Sequence, residues 1–436
     1  MPNPSPRSSS TSTARLDARS DARAAARPMP RKDRLEELLA LAQTYRGWTL
    51  REVAESLGRD PHKLVPESGV PKLDLVIRLA EVLDWSVDQV ARDLCDLSEI
   101  PTEAAPTGDF KSLDRAAFEA YEQGRFDDVE RFALEAHRVA KTPNERARAL
   151  MRQCVANDAR GLYLKALETA QRGLREIEAS FEYHLSFRVN LANAHYTLGN
   201  LHEAEALSGS LVDWFSANPM PSPLSRSTKA FAYYVRGSCH RCFAALPLPN
   251  AAWHAQRGHE DLATAERLFD EYAAQTGLET YAGYANICRG GQLELAPMIG
   301  VRNADEVLAT IVDGLKAVTA EPSPTGAWLE SWGWWCIFGC NVALRQVDDR
   351  ERLQELMGTF TRQADAIAGK LGNWALRERV WTLELERRQR SGDATEGDAW
   401  VVSAEDVRTV AGTMARFPRF RDTGWQVLRT ARRTGA

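Results

Sequence analysis

Two cysteine pairs are the residues whose types and spacing most resemble a metal site. Cys239 and Cys242 flank His240, and Cys336 and Cys340 lie four residues apart. Thiolate and imidazole side chains are zinc ligands, but structural zinc usually takes them from turns, with a second C-x-x-C pair. Both stretches fall in helical patterns. We therefore interpret the cysteines as packing thiols and expect neither a metal nor a cofactor.

A second group of residues has the chemistry to bind a peptide. Asn190, Asn193 and Tyr196 recur along one helical pattern, and an asparagine amide offers both a donor and an acceptor to an extended backbone. Arg148 and Arg152, on an earlier helical pattern, have the charge to meet a carboxylate. The alternative is that all five side chains belong to solvated faces.

Catalytic motifs are missing from the sequence. It contains no phosphate-binding Gly-Lys loop, no H-E-x-x-H, no G-x-S-x-G and no dinucleotide fingerprint. We therefore predict no catalytic residues and a binding protein rather than an enzyme. Unassigned length over residues 220–436 leaves an unrecognised effector enzyme as a third hypothesis.

Composition limits the partners that the protein can have. The net charge of -5 and the isoelectric point near 6.0 argue against general binding of polyanions, so contact with a nucleic acid needs a local basic patch. No apolar run approaches the ~18 residues that suggest a membrane span. Seven scattered cysteines fit reduced thiols in a cytoplasm. The expected location is cytoplasmic, without a membrane partner.

The segment over residues 48–69 has the pattern of two short helices around a turn. Thr49 and Glu52 form a predicted capping box, and apolar residues then repeat at helical spacing as far as Leu57. Gly58 supplies a left-handed turn, and Asp60 with a proline after it predicts the start of a second helix. A short helix, a turn with glycine and another short helix form a helix-turn-helix.

This segment resembles the Cro/C1-type helix-turn-helix family, the xenobiotic-response-element (XRE) group of regulators. The resemblance covers about 65 residues and implies that the second helix lies in a DNA groove. It implies that Arg59, His62 and Lys63 contact base edges or backbone, that Arg51 approaches phosphate, and that the protein is a homodimer. The residues that carry it are Thr49, Val53, Ala54, Leu57, Gly58, Leu64, Glu67, Ser68, Gly69, Pro71, Leu79, Ala80 and Leu83.

Charge divides the N-terminal part of the chain in two. Residues 1–34 carry eight basic and three acidic side chains with few large apolar residues, which predicts a disordered basic arm. Residues 35–97, predicted to form a five-helix domain, carry seven basic and twelve acidic side chains. DNA binding draws affinity from phosphate neutralisation, so the arm is expected to contribute. The alternative is that the head serves only for docking or dimerisation.

Beyond a linker at residues 98–109, the chain becomes a repeat. Three ungapped segments begin at Gly124, Gly161 and Gly199, and each has a helical pattern before and after it. Helix, glycine turn and helix at this period predict a helical solenoid. The segments over residues 110–215 resemble tetratricopeptide repeats, which implies that the helix with Asn190, Asn193 and Tyr196 lines a concave surface.

Nine further helical patterns follow, and we interpret them as degenerate repeats that continue the solenoid over residues 220–436. A separate helical bundle is the alternative, and nothing in the sequence predicts a sheet. The predicted fold class is all-α: a small helix-turn-helix domain followed by a tetratricopeptide-like (TPR-like) α-solenoid. The nine patterns cover residues 225–246, 250–276, 279–296, 303–319, 326–346, 350–371, 374–391, 403–415 and about 420–433.

Together these features predict a DNA-binding transcription regulator whose solenoid binds a peptide or protein and controls a dimeric head. The arrangement resembles the peptide-responsive regulators of bacteria, in which a bound signalling peptide sets the spacing of two DNA-binding heads. The alternative hypothesis is an adaptor that binds a protein partner through its repeats and does not bind DNA.

Overall fold

The computed structural model describes residues 31–66, 71–83, 107–218, 222–320, 326–391 and 401–433, with positions 85, 87, 90, 91 and 94. The chain divides into two units, residues 1–105 and residues 106–436. Eighteen α-helices form nearly all the regular structure of the described residues. The fold is all-α, as predicted.

Three α-helices and one turn of 3-10 helix build the described part of the first unit. α1 (Arg31–Arg46) packs against both α2 (Leu50–Ser56) and α3 (Leu73–Leu83). The predicted capping box is confirmed: Thr49 Oγ1 accepts from the Glu52 amide at 3.3 Å, and the Glu52 carboxylate accepts from the Thr49 amide at 2.7 Å. The buried core includes Leu35, Leu38, Leu39, Val53, Ala54, Leu57, Leu64, Leu79 and Leu83.

The second helix of the pair differs from the prediction, because Pro61–Lys63 form only a turn of 3-10 helix. Gly58 has the expected left-handed conformation (φ 63°), and Asp60 caps the turn by accepting from the His62 amide at 2.8 Å. Five residues separate this cap from Pro66, and short segments commonly adopt the tighter 3-10 geometry. Several predicted segments lie outside the described residues. These are residues 1–30 and 67–69, the linker as far as residue 106, and most of residues 86–94 in the predicted five-helix domain.

Three helix pairs with left-handed glycine turns open the second unit. Gly124, Gly161 and Gly199 have φ angles of 71°, 72° and 78°, which an L side chain adopts only with strain. Thr142 and Glu145 form a capping box at the start of the second pair. The pairs are α4 (Phe110–Glu122) with α5 (Phe126–Val139), α6 (Pro143–Ala159) with α7 (Tyr163–Leu174), and α8 (Phe181–Thr197) with α9 (Leu201–Ala217).

The remaining helices continue the stack, and each begins and ends within three residues of its prediction. They are α10 (Pro223–Ala244), α11 (Ala251–Thr276), α12 (Glu279–Leu295), α13 (Ala304–Ala320), α14 (Gly326–Gln346), α15 (Arg350–Leu371), α16 (Trp374–Ser391), α17 (Ala404–Arg416) and α18 (Arg421–Thr430). Consecutive helices pack on one another with one exception: α12 and α13 both pack against α14.

The C-terminal segment contains the one departure from all-helical structure and returns to the first repeats. Val401–Val402 and Arg432–Arg433 form a two-residue parallel strand pair, too short to leave an alternating sequence pattern. No pattern in the sequence predicted this pair, and the fold class is unaffected by it. Between the strands, the Phe417 ring lies 5.0 Å from the ring of Tyr163, and Arg419 Nη2 donates to Asn200 Oδ1 at 3.1 Å.

Among the described residues, no helix is both long enough and apolar enough to cross a membrane.

Candidate functional site

A cavity of about 1190 Å³ lies within the second unit. Most of its wall comes from alternate helices, α4, α6, α8, α10, α12, α14 and α16. The first residues of α5, α7 and α9, the end of α15 and the C-terminal turn at Phe417 and Arg419 complete it. Each repeat therefore turns its first helix towards the same space. This volume exceeds the roughly 300–1,000 Å³ of small-molecule sites and admits a short peptide.

Two carboxylates on opposite parts of the repeat array face this cavity. Asp158, at the end of α6, accepts a hydrogen bond from Asn193 Nδ2 at 3.4 Å, and Glu330 on α14 accepts one from Asn373 Nδ2 at 2.8 Å. No basic group of the described residues lies within 4.0 Å of either carboxylate. Each group thus has an amide partner and no counter-charge.

The lack of a counter-charge affects how these acids ionise. Burial and the nearby Glu330 carboxylate raise the pKa of Asp158 to about 7. Burial also raises the pKa of Glu330, although hydrogen bonds from Trp334 and Asn373 oppose that shift. At neutral pH, a cation in the cavity would therefore favour ionisation of both groups.

Aromatic side chains surround the two acids. Tyr163 is only 6% exposed and lines the cavity, and its hydroxyl makes no hydrogen bond to any described residue. Burial raises the pKa of Tyr163 well above its usual value, and the charges of Asp158 and Glu330 add to this effect. Trp334 and Trp374 also line the cavity, and Trp334 Nε1 donates to Glu330 Oε1 at 3.4 Å.

A buried ion-pair network holds another part of the wall. Arg241 Nη1 contacts Glu294 Oε2 at 2.7 Å, and Arg345 Nη2 contacts Glu294 Oε1 at 2.9 Å. Arg241 also donates to the Tyr196 hydroxyl at 3.0 Å, which joins α8, α10, α12 and α14. Because Arg241 and Arg345 are already paired with Glu294, this network fixes the helices rather than offering an unpaired charge.

The predicted peptide-binding residues separate into two groups. Asn193 and Tyr196 line the cavity, whereas Arg148, Arg152 and Asn190 are not among its lining residues. Arg148 and Arg152 instead contact Asp114 on α4, at 2.7 and 3.2 Å.

Asn190 is engaged locally, because its Nδ2 donates to the Ser186 carbonyl at 2.8 Å.

The sequence interpretation missed Asp158, Tyr163, Glu330 and Asn373. Tyr121, Asp158 and Tyr196 each lie three residues before a turn glycine, and all three line the cavity. Comparison of this position across the repeats would have found Asp158. Glu330 and Asn373 do not lie three residues before a left-handed turn glycine, so the same comparison would not have found them.

The predicted DNA-contact residues lie around the turn of the first unit. Arg51, His62 and Lys63 are exposed, whereas Arg59 Nη2 contacts Asp74 Oδ2 on α3 at 2.5 Å. Arg78, which the sequence interpretation left out, is also exposed, and its Nη1 lies 3.0 Å from where a Cβ on Gly58 would be. Four arginine and lysine side chains and His62 therefore surround the turn, and one of them, Arg59, is already paired.

Three of the four paired cysteines lie in the packed interior of the second unit, whereas Cys242 is half-buried and lines the cavity. Cys239 belongs to an apolar cluster with Val235 and Phe243, while Cys336 and Cys340 belong to another with Trp335 and Phe360. Burial raises the pKa of the Cys239 thiol well above its usual range. No group of metal-binding side chains occurs among the residues that the structure describes.

The sequence matches no known protein family and none of the curated proteins. One solved structure that the fold resembles is that of Bacillus thuringiensis PlcR in complex with the peptide PapR7 and DNA. The similarity covers 66% of this chain and 95% of that one, with 12% sequence identity and a TM-score of 0.36.

Proposed function

We propose that the protein is a DNA-binding transcription regulator whose solenoid binds a peptide or protein ligand and thereby controls a dimeric head. The observation that carries the proposal is the cavity, because each helix pair from α4 to α17 contributes its first helix to one wall. Such a wall supports ligand binding and contains no arrangement typical of catalysis among the described residues.

The DNA-binding part of the proposal rests on the first unit. Its capped α2, left-handed Gly58 and exposed Arg51, His62 and Lys63 fit a surface that meets a phosphate backbone. Because the head is small and carries more acidic than basic side chains, we include dimerisation and the basic arm in the proposal.

The test is DNA binding by the full chain, measured on a genomic fragment pool at two salt concentrations. We expect binding to weaken as the salt concentration rises. For an Arg51→Ala/Lys63→Ala variant, the logarithm of the binding constant plotted against the logarithm of the salt concentration should have a slope that is smaller in magnitude by about 2. The charge-matched control is Arg138→Ala/Arg267→Ala, which removes two exposed cations from the second unit. Absent or salt-insensitive binding by the full chain would reject the DNA-binding function.

The second candidate is an adaptor that binds a protein partner through its repeats. The specific observation in its favour is the Arg59–Asp74 contact, which occupies one of the predicted DNA contacts. Capture of one protein partner by the full chain, together with failure to bind DNA, would favour the adaptor.

A further inference from the structure

We infer that the cavity binds an organic cation, an ammonium or guanidinium group carried by a short peptide or by a free polyamine, between Asp158 and Glu330. The inference rests on the proposed ligand-binding function and specifies the chemistry of its ligand.

The first step concerns the hydrogen-bonding capacity that remains at the two acids. An ionised carboxylate offers about four lone-pair sites, and Asp158 uses one of them on Asn193. Glu330 uses its Oε1 atom on Asn373 and Trp334, which leaves Oε2 without a partner. A ligand with several N–H donors fits this arrangement, because an ammonium has three donors and a guanidinium has five.

The second step is the hydroxyl of Tyr163, which points to a ligand independently of the acids. Tyr163 is more than nine-tenths buried as a residue, and its hydroxyl is the part of the side chain that stays accessible from the cavity. The hydroxyl has no hydrogen-bond partner among the described residues, although the side chain lines the cavity. The charges of Asp158 and Glu330 also raise the pKa of Tyr163, so the three groups lie near one another. A cation between the carboxylates would also have the phenol oxygen as an acceptor.

The third step is that no cationic side chain of the described residues lies within ion-pair distance of Asp158 or Glu330, although Lys370, Arg379, Arg390 and Arg419 also line the cavity. Arg416 is the guanidinium that acts on Tyr163, but it stacks on Trp374 at 3.9 Å and donates to the Gly412 carbonyl at 3.1 Å. It lies outside ion-pair distance of both acids. Arg241 and Arg345 are paired with Glu294.

The fourth step is the aromatic wall, which favours an organic cation over a bare metal ion. A cation within about 6 Å of an aromatic face is attracted by the ring, most strongly by tryptophan. Trp334 lines the same cavity and can face an ammonium or guanidinium between the acids, whereas the Trp374 ring already stacks with Arg377 and Arg416. Few oxygen ligands converge here, and a divalent ion would need six or more.

The experiment measures binding of four probes to the full chain by calorimetry and by tryptophan fluorescence. Three are capped pentapeptides of alanine with lysine, norleucine or glutamate at the centre, and the fourth is spermidine. We expect the lysine peptide or spermidine to bind with a Kd of about 1 mM or tighter. Tighter binding of the peptide assigns the cation to a peptide ligand, and tighter binding of spermidine assigns it to a polyamine.

An Asp158→Asn/Glu330→Gln variant tests the residues, with Asp348→Asn/Glu355→Gln as a control that removes two exposed carboxylates. We expect the first variant to bind the cationic probe roughly ten- to hundred-fold more weakly and the control to bind normally. Circular dichroism and the melting temperature establish that both variants fold. A Tyr163→Phe variant removes only the hydroxyl and is expected to weaken binding by a smaller factor.

Three outcomes would overturn the inference: no binding of either cationic probe, equal binding by the Asp158→Asn/Glu330→Gln variant, or equal binding of the norleucine peptide. The last outcome leaves the cavity as a ligand site and removes only its preference for a cation. Conversely, cation binding that depends on Asp158 and Glu330 would stand even if the full chain fails to bind DNA.

Discussion

At the scale of single residues, Asp158 makes stability depend on pH. Its pKa is raised from 3.8 to about 7 in the folded protein by burial and by Glu330. Between about pH 4 and pH 7 the folded state therefore holds a proton that the unfolded state has released, so stability falls as pH rises through this window and levels off above it. Other titratable groups around this part of the cavity are Glu378, Arg416 and the neutral phenols of Tyr163 and Tyr284.

We predict that Asp158→Asn is more stable than the wild type at pH 8, by on the order of 1 kcal/mol or more. The substitution removes a carboxylate that is costly to ionise, and the difference should vanish near pH 4. Thermal unfolding across this pH range measures it, with the exposed Asp348→Asn as the control. Because the pKa values of Glu330 and Glu378 are also raised, the stability of the variant should still fall as pH rises, but less steeply than that of the wild type. An unchanged melting temperature at pH 8 would contradict the prediction.

Two of the predicted peptide-binding residues, Asn193 and Tyr196, line the cavity because they lie on the first helix of the third repeat. Their role in binding remains a prediction. Glu330 was missed because it is far from Asp158 in sequence and comes near it only in the folded repeat array, where both residues line the cavity. Arg148 and Arg152 were assigned to a ligand, yet their partner is Asp114, and the sequence shows both charges without showing which of them pair.

At the scale of elements, helix boundaries were largely predictable because caps, glycines and prolines act locally. Capping boxes at Thr49 and Thr142 mark helix starts through hydrogen bonds within four residues. The 3-10 turn at Pro61–Lys63 was missed since helical periodicity cannot distinguish a short α-helix from one tighter turn. The strand pair at Val401–Val402 depends on a partner thirty residues away, which local patterns do not show.

The repeat turns provide a matched pair of substitutions. Gly124 and Gly161 have nearly equal φ angles, but a Cβ on Gly161 would lie 2.8 Å from Trp374 Cδ1, whereas one on Gly124 meets nothing within 4 Å. We predict that Gly124→Ala costs about 1–2 kcal/mol of unfolding free energy from backbone strain alone. Gly161→Ala should cost roughly 1–3 kcal/mol more because Trp374 must move. Urea unfolding of both variants measures the difference, and equal costs would show that Trp374 yields freely.

At the scale of the second unit, the C-terminal segment forms part of the cavity wall. The buried Phe417 packs on Tyr163, and Arg419 bonds to Asn200, so this segment covers the wall formed by the second and third repeats.

We predict that Phe417→Ala lowers the unfolding free energy by about 3–5 kcal/mol and increases hydrogen exchange at the start of α7. The control is Trp425→Ala on α18, a ring that is half exposed and distant from the cavity lining. If exchange at α7 is unchanged while stability falls, the segment does not hold the first repeats in place.

The contact between Arg419 and the turn after α8 has a consequence for synthesis on the ribosome. An open repeat array folds outward from any point, since each repeat touches only its neighbours. Here Gly161 packs on Trp374 and Asn200 bonds to Arg419 across 219 positions of chain. At 5–20 residues per second, the second repeat emerges on the order of 10 to 50 s before Phe417 reaches Tyr163. A nascent chain therefore passes through a period in which its early repeats are complete but its cavity is still open, and a ligand present then needs no gate to enter.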